Sequence, residues 1–259
     1  KGKSSNSLRE KIIKSEKLDS SEPSTKGKVT TIINKLTNFV NLKKGDVIVI
    51  PSNSSSRLAF GVIEDSKIYL DIDKSNKCNF IKRKKVNWIV VKNMSELDPN
   101  FYTIKVSRHT ISKVDDYSVF IDSVISSLFI KEDNAHFVLD IKTKKEINVN
   151  TLIALINNIQ FLTKEINSKF LLGEEIDSNS IRLNLQSPGK IEFKLFSGKS
   201  LITLVALLSL TCCNESDDST NTELDSFIAT NKVVLEEINQ AMDELEVDKQ
   251  RINSFKYGN

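Results

Sequence analysis

At 259 residues the chain can hold two modest domains with their own cores, and 39% hydrophobic and 27% charged residues are ordinary for a globular protein. The net charge of +3 hides an uneven spread: residues 1–92 carry 20 Lys/Arg against 9 Asp/Glu, whereas residues 214–248 carry 1 against 11. Three cysteines, two of them adjacent (Cys212 and Cys213) and one distant (Cys78), exclude a disulfide framework. The two histidines, His109 and His136, lack zinc-ligand spacing, and scattered glycines exclude a phosphate-cradling loop.

Residues 1–27 are polar and serine-rich and read as a tail or a loosely attached helix. Val29, Ile32, Ile33, Leu36, Phe39 and Val40 recur at helical spacing, so a helix is expected before Asn41. Five short runs follow, near 46–50, 58–64, 67–72, 78–82 and 86–91. They are rich in β-branched and aromatic residues and bounded by Gly, Asp, Pro and Ser, so all five read as strands. Five strands in under fifty residues predict a small SH3-like or PUA-like barrel spanning 28–112 with the helix before it. Asp98-Pro99 breaks the chain, and 101–106 is expected to add a strand.

A second module is expected over 113–213. Residues 115–129 have helical spacing, 136–142 reads as a strand, and Asn150 is placed to cap a helix over 151–168. Residues 181–186 and 191–195 form a hairpin across Ser187-Pro188-Gly189. This β, α, β, β order predicts a small α/β sandwich, which makes the whole chain α+β. Leu201–Cys213 is almost wholly apolar, yet at about thirteen residues it falls short of the roughly twenty needed to span a bilayer. It reads either as a buried helix or as a membrane contact. In the second case Leu210-Thr-Cys-Cys resembles the lipobox of a lipoprotein signal, with Cys212 standing where a small residue is usual. Residues 214–259 form an acidic linker and a helix over 222–252. Ile228, Leu235 and Met242 repeat there at heptad spacing, as do Ile238, Leu245 and Ile252, an arrangement that suits a homo-oligomer or a helix docked on its own domain.

The strongest functional signal is the basic strand region. Lys82, Arg83, Lys84 and Lys85 precede Trp88, and Arg57 follows a serine-rich loop, Ser52–Ser56. Cations and hydroxyls of this kind contact phosphates, and Trp88, Tyr69 and Phe80 can offer stacking faces to splayed bases. Trp88 and Phe80 can instead fill the barrel core, the favoured place for Trp88. The expected partner is DNA or RNA, single strands and oligonucleotides included, bound by Arg57, Lys82, Arg83, Lys84, Lys85 and Trp88 with no cofactor and no catalysis.

The same stretch carries a resemblance. Lys43-Lys44-Gly45-Asp46, the strand into Pro51, Phe60-Gly61-Val62 and the basic run before Val86-Asn87-Trp88 resemble the N-terminal module of Mrr-type restriction endonucleases and related bacterial defence proteins, over about residues 28–105. The resemblance implies a nucleic-acid-facing sensor in an antiviral setting; it does not imply cleavage. Two other readings stand beside it. One is a membrane-associated effector gated by this domain, cytoplasmic but held at the inner face of the membrane. The other is a magnesium nuclease built on Asp140-Ile141-Lys142, which has the D-x-K form but lacks an obvious partner carboxylate. Against the nuclease, Phe137, Leu139 and Ile141 would face a core while Asp140 and Lys142 face water.

Overall fold

The computed structural model describes residues 2–72, 80–105, 111–184, 189–212 and 222–253. The chain divides into two compact units. Unit 1 comprises residues 1–94 and 99–115, and unit 2 comprises 95–98 and 116–259. The fold is α+β.

Unit 1 begins with two helices, α1 (Gly2–Ser15) and α2 (Pro23–Asn41). Proline opens α2, where its missing N–H costs nothing. Ile12 of α1 and Val29 of α2 are buried, so the polar N-terminal stretch is a packed helix and not a tail. The strands are β1 (Val47–Pro51), β2 (Arg57–Ile63), β3 (Tyr69–Leu70), β4 (Lys82–Arg83) and β5 (Val86–Asn93). Strands occur at four of the five expected places, while β4 shares only Lys82 with the strand expected near 78–82, whose first two residues lie outside those described; among the described residues the strands do not close a barrel. β1, β2 and β5 form one antiparallel sheet in the order β1-β2-β5, and β3 pairs only with β4. The physical reason is length: the two-residue strands β3 and β4 are too short to bridge from the edge strand β5 around to β1, and β5 returns directly onto β2.

Leu58 and Phe60 are fully buried on one face of this sheet, and Phe60 meets Phe101 edge-on with ring centroids 5.7 Å apart. Phe101 lies in α3 (Phe101–Lys105), where a strand was expected. Its period-2 pattern is overridden by Pro99 and Asn100, whose carbonyls accept from the Tyr102 and Thr103 amides and start a helical turn.

Unit 2 holds α4 (Ser118–Ile125), β6 (Leu128–Lys131), β7 (Asn134–Ile141), α5 (Val149–Lys169), β8 (Ser180–Asn184), β9 (Gly189–Phe196) and α6 (Lys199–Cys212). It ends with α7 (Thr222–Thr230), α8 (Lys232–Glu244) and α9 (Lys249–Asn253). Its sheet is antiparallel throughout, in the order β6-β7-β9-β8. The expected β8–β9 hairpin is present, with its turn residues 185–188 outside those described. Strand β6 replaces the end of an expected helix, because Ser126 turns extended and its hydroxyl donates to the Leu128 carbonyl. Helix α5 is capped by Asn148, not Asn150: the Asn148 carboxamide accepts from the amides of Asn150 and Thr151.

Ala135, Phe137, Leu139 and Ile141 of β7, with Ile191, Phe193 and Leu195 of β9, project from one face into a core completed by α5, α6 and α8. Gly198, at φ 64°, turns β9 into α6, and a Cβ there would fall 2.1 Å from that of Ala135. Leu201, Leu204, Val205, Leu207 and Leu208 of α6 are at most 2% exposed, so the apolar run is spent inside the unit. No helix among the described residues is long and apolar enough to cross a membrane. The C-terminal helix is broken in two places. At the second break Glu246 takes a φ of 51°, and the Val247 amide closes back on the Met242 carbonyl at 2.8 Å. Leu235, Ile238, Met242, Leu245 and Ile252 are all buried in the same core, so the heptad stripe is taken up within one chain.

Candidate nucleic-acid interface

The start of β1, the end of β2 and the start of β5 lie at one end of the unit 1 sheet, because Val47 pairs with Val62 and Ile63 with Val86. The loops that meet there carry Lys43, Lys44, Lys67 and Lys85, all exposed, and exposed Lys82 stands just beyond on β4. Lys84 binds the loops together. It is 8% exposed, and its ammonium donates to the carbonyls of Leu42 (2.7 Å) and Ser66 (2.5 Å). The Lys44 amide donates to Ser66 Oγ, and the Glu64 amide to the Lys85 carbonyl.

The four-cation run therefore separates into distinct roles. Lys84 is a buried strut, which corrects its expected place among phosphate contacts. Arg83 is tied 2.7 Å from the Asp71 carboxylate, and its Nε donates to the Phe80 carbonyl. Lys82 and Lys85 are exposed, and among the described residues no ion pair engages them or Arg57. Arg57 starts β2 opposite Asn93, six residues from Ile63 and so about 20 Å from the lysine end. Lys43, Lys44 and Lys67 belong to the basic end but escaped the sequence reading. The available signal was topological: in an antiparallel sheet of this order their loops must converge with the run before β5.

Trp88 is not in a core. It is 51% exposed, and Phe80 is 79% exposed. A register shift between Phe60 and Gly61 lets β5 bulge, so that Trp88 stands opposite Gly61 while Val91 stands opposite Ala59. A Cβ on Gly61 would lie 3.0 Å from Trp88 Cε3, 2.6 Å from Val86 Cγ1 and 2.9 Å from the Asn87 carbonyl oxygen. Glycine is what lets the indole settle onto the strand.

Unit 2 holds its charges differently. His136, Asp140 and Glu192 lie on the sheet face turned away from the main core, yet each is buried. His136 Nδ1 is 2.7 Å from Glu192 Oε1, its ring stacks on Phe129 at 4.6 Å, and Arg182 reaches Glu192 Oε2 at 3.3 Å. Burial opposes ionisation of Glu192. The His136 hydrogen bond and the positive potential of Arg182, His136 and Lys190 outweigh it and hold the carboxyl below its ordinary value.

Asp140 was expected to face water. Instead it is 6% exposed, bound by Arg251 of α9 and lying 3.9 Å from Lys190, and both cations also donate to the Ser123 carbonyl in α4. Lys142 pairs with Asp248 at 2.8 Å. Among the described residues no group of three His, Cys, Asp or Glu is placed to hold a metal. His109, Cys78 and Cys213 lie outside the described residues.

A family model described as a domain of unknown function, DUF8426, matches residues 2–115, less than half of the chain and close to the extent of unit 1. Neither a curated protein nor a solved structure matches the chain.

Proposed function

We propose that unit 1 is a nucleic-acid-binding module that works without catalysis. One observation carries the reading: exposed Lys43, Lys44, Lys67, Lys82 and Lys85 arrive from separate segments at one end of a sheet, around a lysine buried to hold those segments together. Like charges repel, so gathering them costs free energy that an arriving polyanion returns by releasing its counterions. The acidic residues of the same end are partly spent on local structure. Asp46 accepts from the Lys43 amide, Asp65 from the Lys67 amide, and Asp71 holds Arg83. The bacterial-defence setting rests on the resemblance of residues 28–105 alone.

Fluorescence anisotropy of a labelled oligonucleotide with the full chain tests the reading. Binding should weaken as salt rises, and Lys82→Glu with Lys85→Glu should weaken it at least tenfold. Equal affinity of the doubly reversed variant removes the proposed surface.

A further inference from the structure

We propose, resting on the reading of unit 1 as a nucleic-acid-binding module, that its open sheet face takes single strands in preference to duplex, with an unpaired base stacked on Trp88. Residues directly opposite in an antiparallel sheet share a face. Ile48, Gly61 and Trp88 are opposite one another, and so are Ile50, Ala59 and Val91, with Ala59 and Gly61 two residues apart on β2. These two rows form one apolar surface with small residues on the middle strand and larger ones at both sides. Trp88, Val91 and Ile50 are 51%, 57% and 46% exposed, so the surface is open. Arg57 belongs to the same face, two residues before Ala59. Ile63, two residues beyond Gly61, is 1% exposed, so the open surface runs from Arg57 at one end of the sheet to the row of Trp88, with the lysines beyond it at the other end.

That combination selects the occupant. Cations about 20 Å apart match a phosphate chain running along the strand direction. An apolar floor between them has nothing to offer a duplex, whose base faces are covered by their neighbours. It suits bases that have lost their stacking partners, because every base has a π-face that an exposed indole can cover. The β5 bulge turns Trp88 onto this face, and Gly61 gives it a seat. Stacking on one aromatic tolerates any base, so discrimination is by strandedness and not by sequence.

Trp88 is the only tryptophan in the chain, so its fluorescence reports on this position alone. The test titrates the full chain with a mixed-sequence single-stranded DNA 12-mer and with the corresponding duplex, at one salt concentration, following both anisotropy and tryptophan emission. The proposal expects tighter binding of the single strand with quenching of Trp88, and Trp88→Ala weakening single-strand binding about tenfold while leaving duplex binding unchanged. Trp88→Phe should recover most of the loss, which separates stacking from a fold defect, and the wild-type strand preference and quenching stand even if Trp88→Ala fails to fold. Equal binding of both forms with unchanged emission overturns the strandedness proposal and leaves the basic surface standing. Binding of neither form overturns both.

Discussion

Units 1 and 2 are built from similar parts and use them in opposite ways. Each has an antiparallel sheet with cations on or beside its strands and an apolar face packed into a core. In unit 2 the cations find carboxylates: Arg251 and Lys190 close on Asp140, Arg182 closes on Glu192, and both carboxylates are buried. In unit 1 Lys82 and Lys85 point into solvent, with no ion pair among the described residues, and the apolar row with Trp88 lies open. A basic strand is therefore not a binding site by composition. What separates a strut from a contact is whether the fold supplies a partner.

The largest test of this contrast lies in unit 2. Arg251→Ala leaves a buried carboxylate without its principal cation and should cost about 3–5 kcal/mol in urea unfolding. Lys82→Glu with Lys85→Glu in unit 1 should stay within about 0.5 kcal/mol of wild type. Comparable losses in the two variants would erase the distinction between internal and displayed charge.

Within unit 1, Gly61→Ala should destabilise by about 1–3 kcal/mol, because the new methyl meets the Asn87 carbonyl at 2.9 Å and the backbone must shift. Thermal unfolding reads this directly, and a neutral result would mean that β5 yields easily at its bulge. Lys84→Ala and Lys85→Ala form the finest comparison, since they are adjacent in sequence but only Lys84 is buried and bonded to backbone carbonyls. The first should cost about 1–3 kcal/mol by leaving the Leu42 and Ser66 carbonyls without their donor. The second should be near neutral for stability and should weaken oligonucleotide binding.

The smallest effect is set by pH. Glu192 has a folded pKa below its ordinary value of 4.5, so its contribution to stability is fully present above that value and is lost as pH falls through the depressed one. Glu192→Gln should flatten the acid limb of a stability-against-pH curve below about pH 4.5. A limb of unchanged slope would place the acid sensitivity elsewhere.

The elements were largely legible, and the relations between them were not. Alternation along β7 correctly placed Phe137, Leu139 and Ile141 in a core. It misjudged Asp140, because the covering residues Arg251 and Ser123 lie 111 positions ahead and 17 behind, beyond any local pattern. The apolar length of α6 was plain in the sequence, but its burial depended on α5 and α8 being there to receive it. The run Lys82–Lys85 looked like one feature, yet Lys84 lies in the link between β4 and β5, where two distant carbonyls hold it inward. Trp88 was expected in a core because large aromatics usually go there; a one-residue bulge opposite a glycine brought it to the surface. Such bulges leave little trace in composition.

The claim that the lysine end of unit 1 meets a polyanion is tested most directly by the salt dependence of oligonucleotide affinity. With three to five phosphates contacted on a single strand, the plot of log K against log salt should have a slope of about −2 to −3.5. Reversing Lys82 and Lys85 should make it shallower by at least one. A slope near zero, or one that the two reversals leave untouched, would contradict the account.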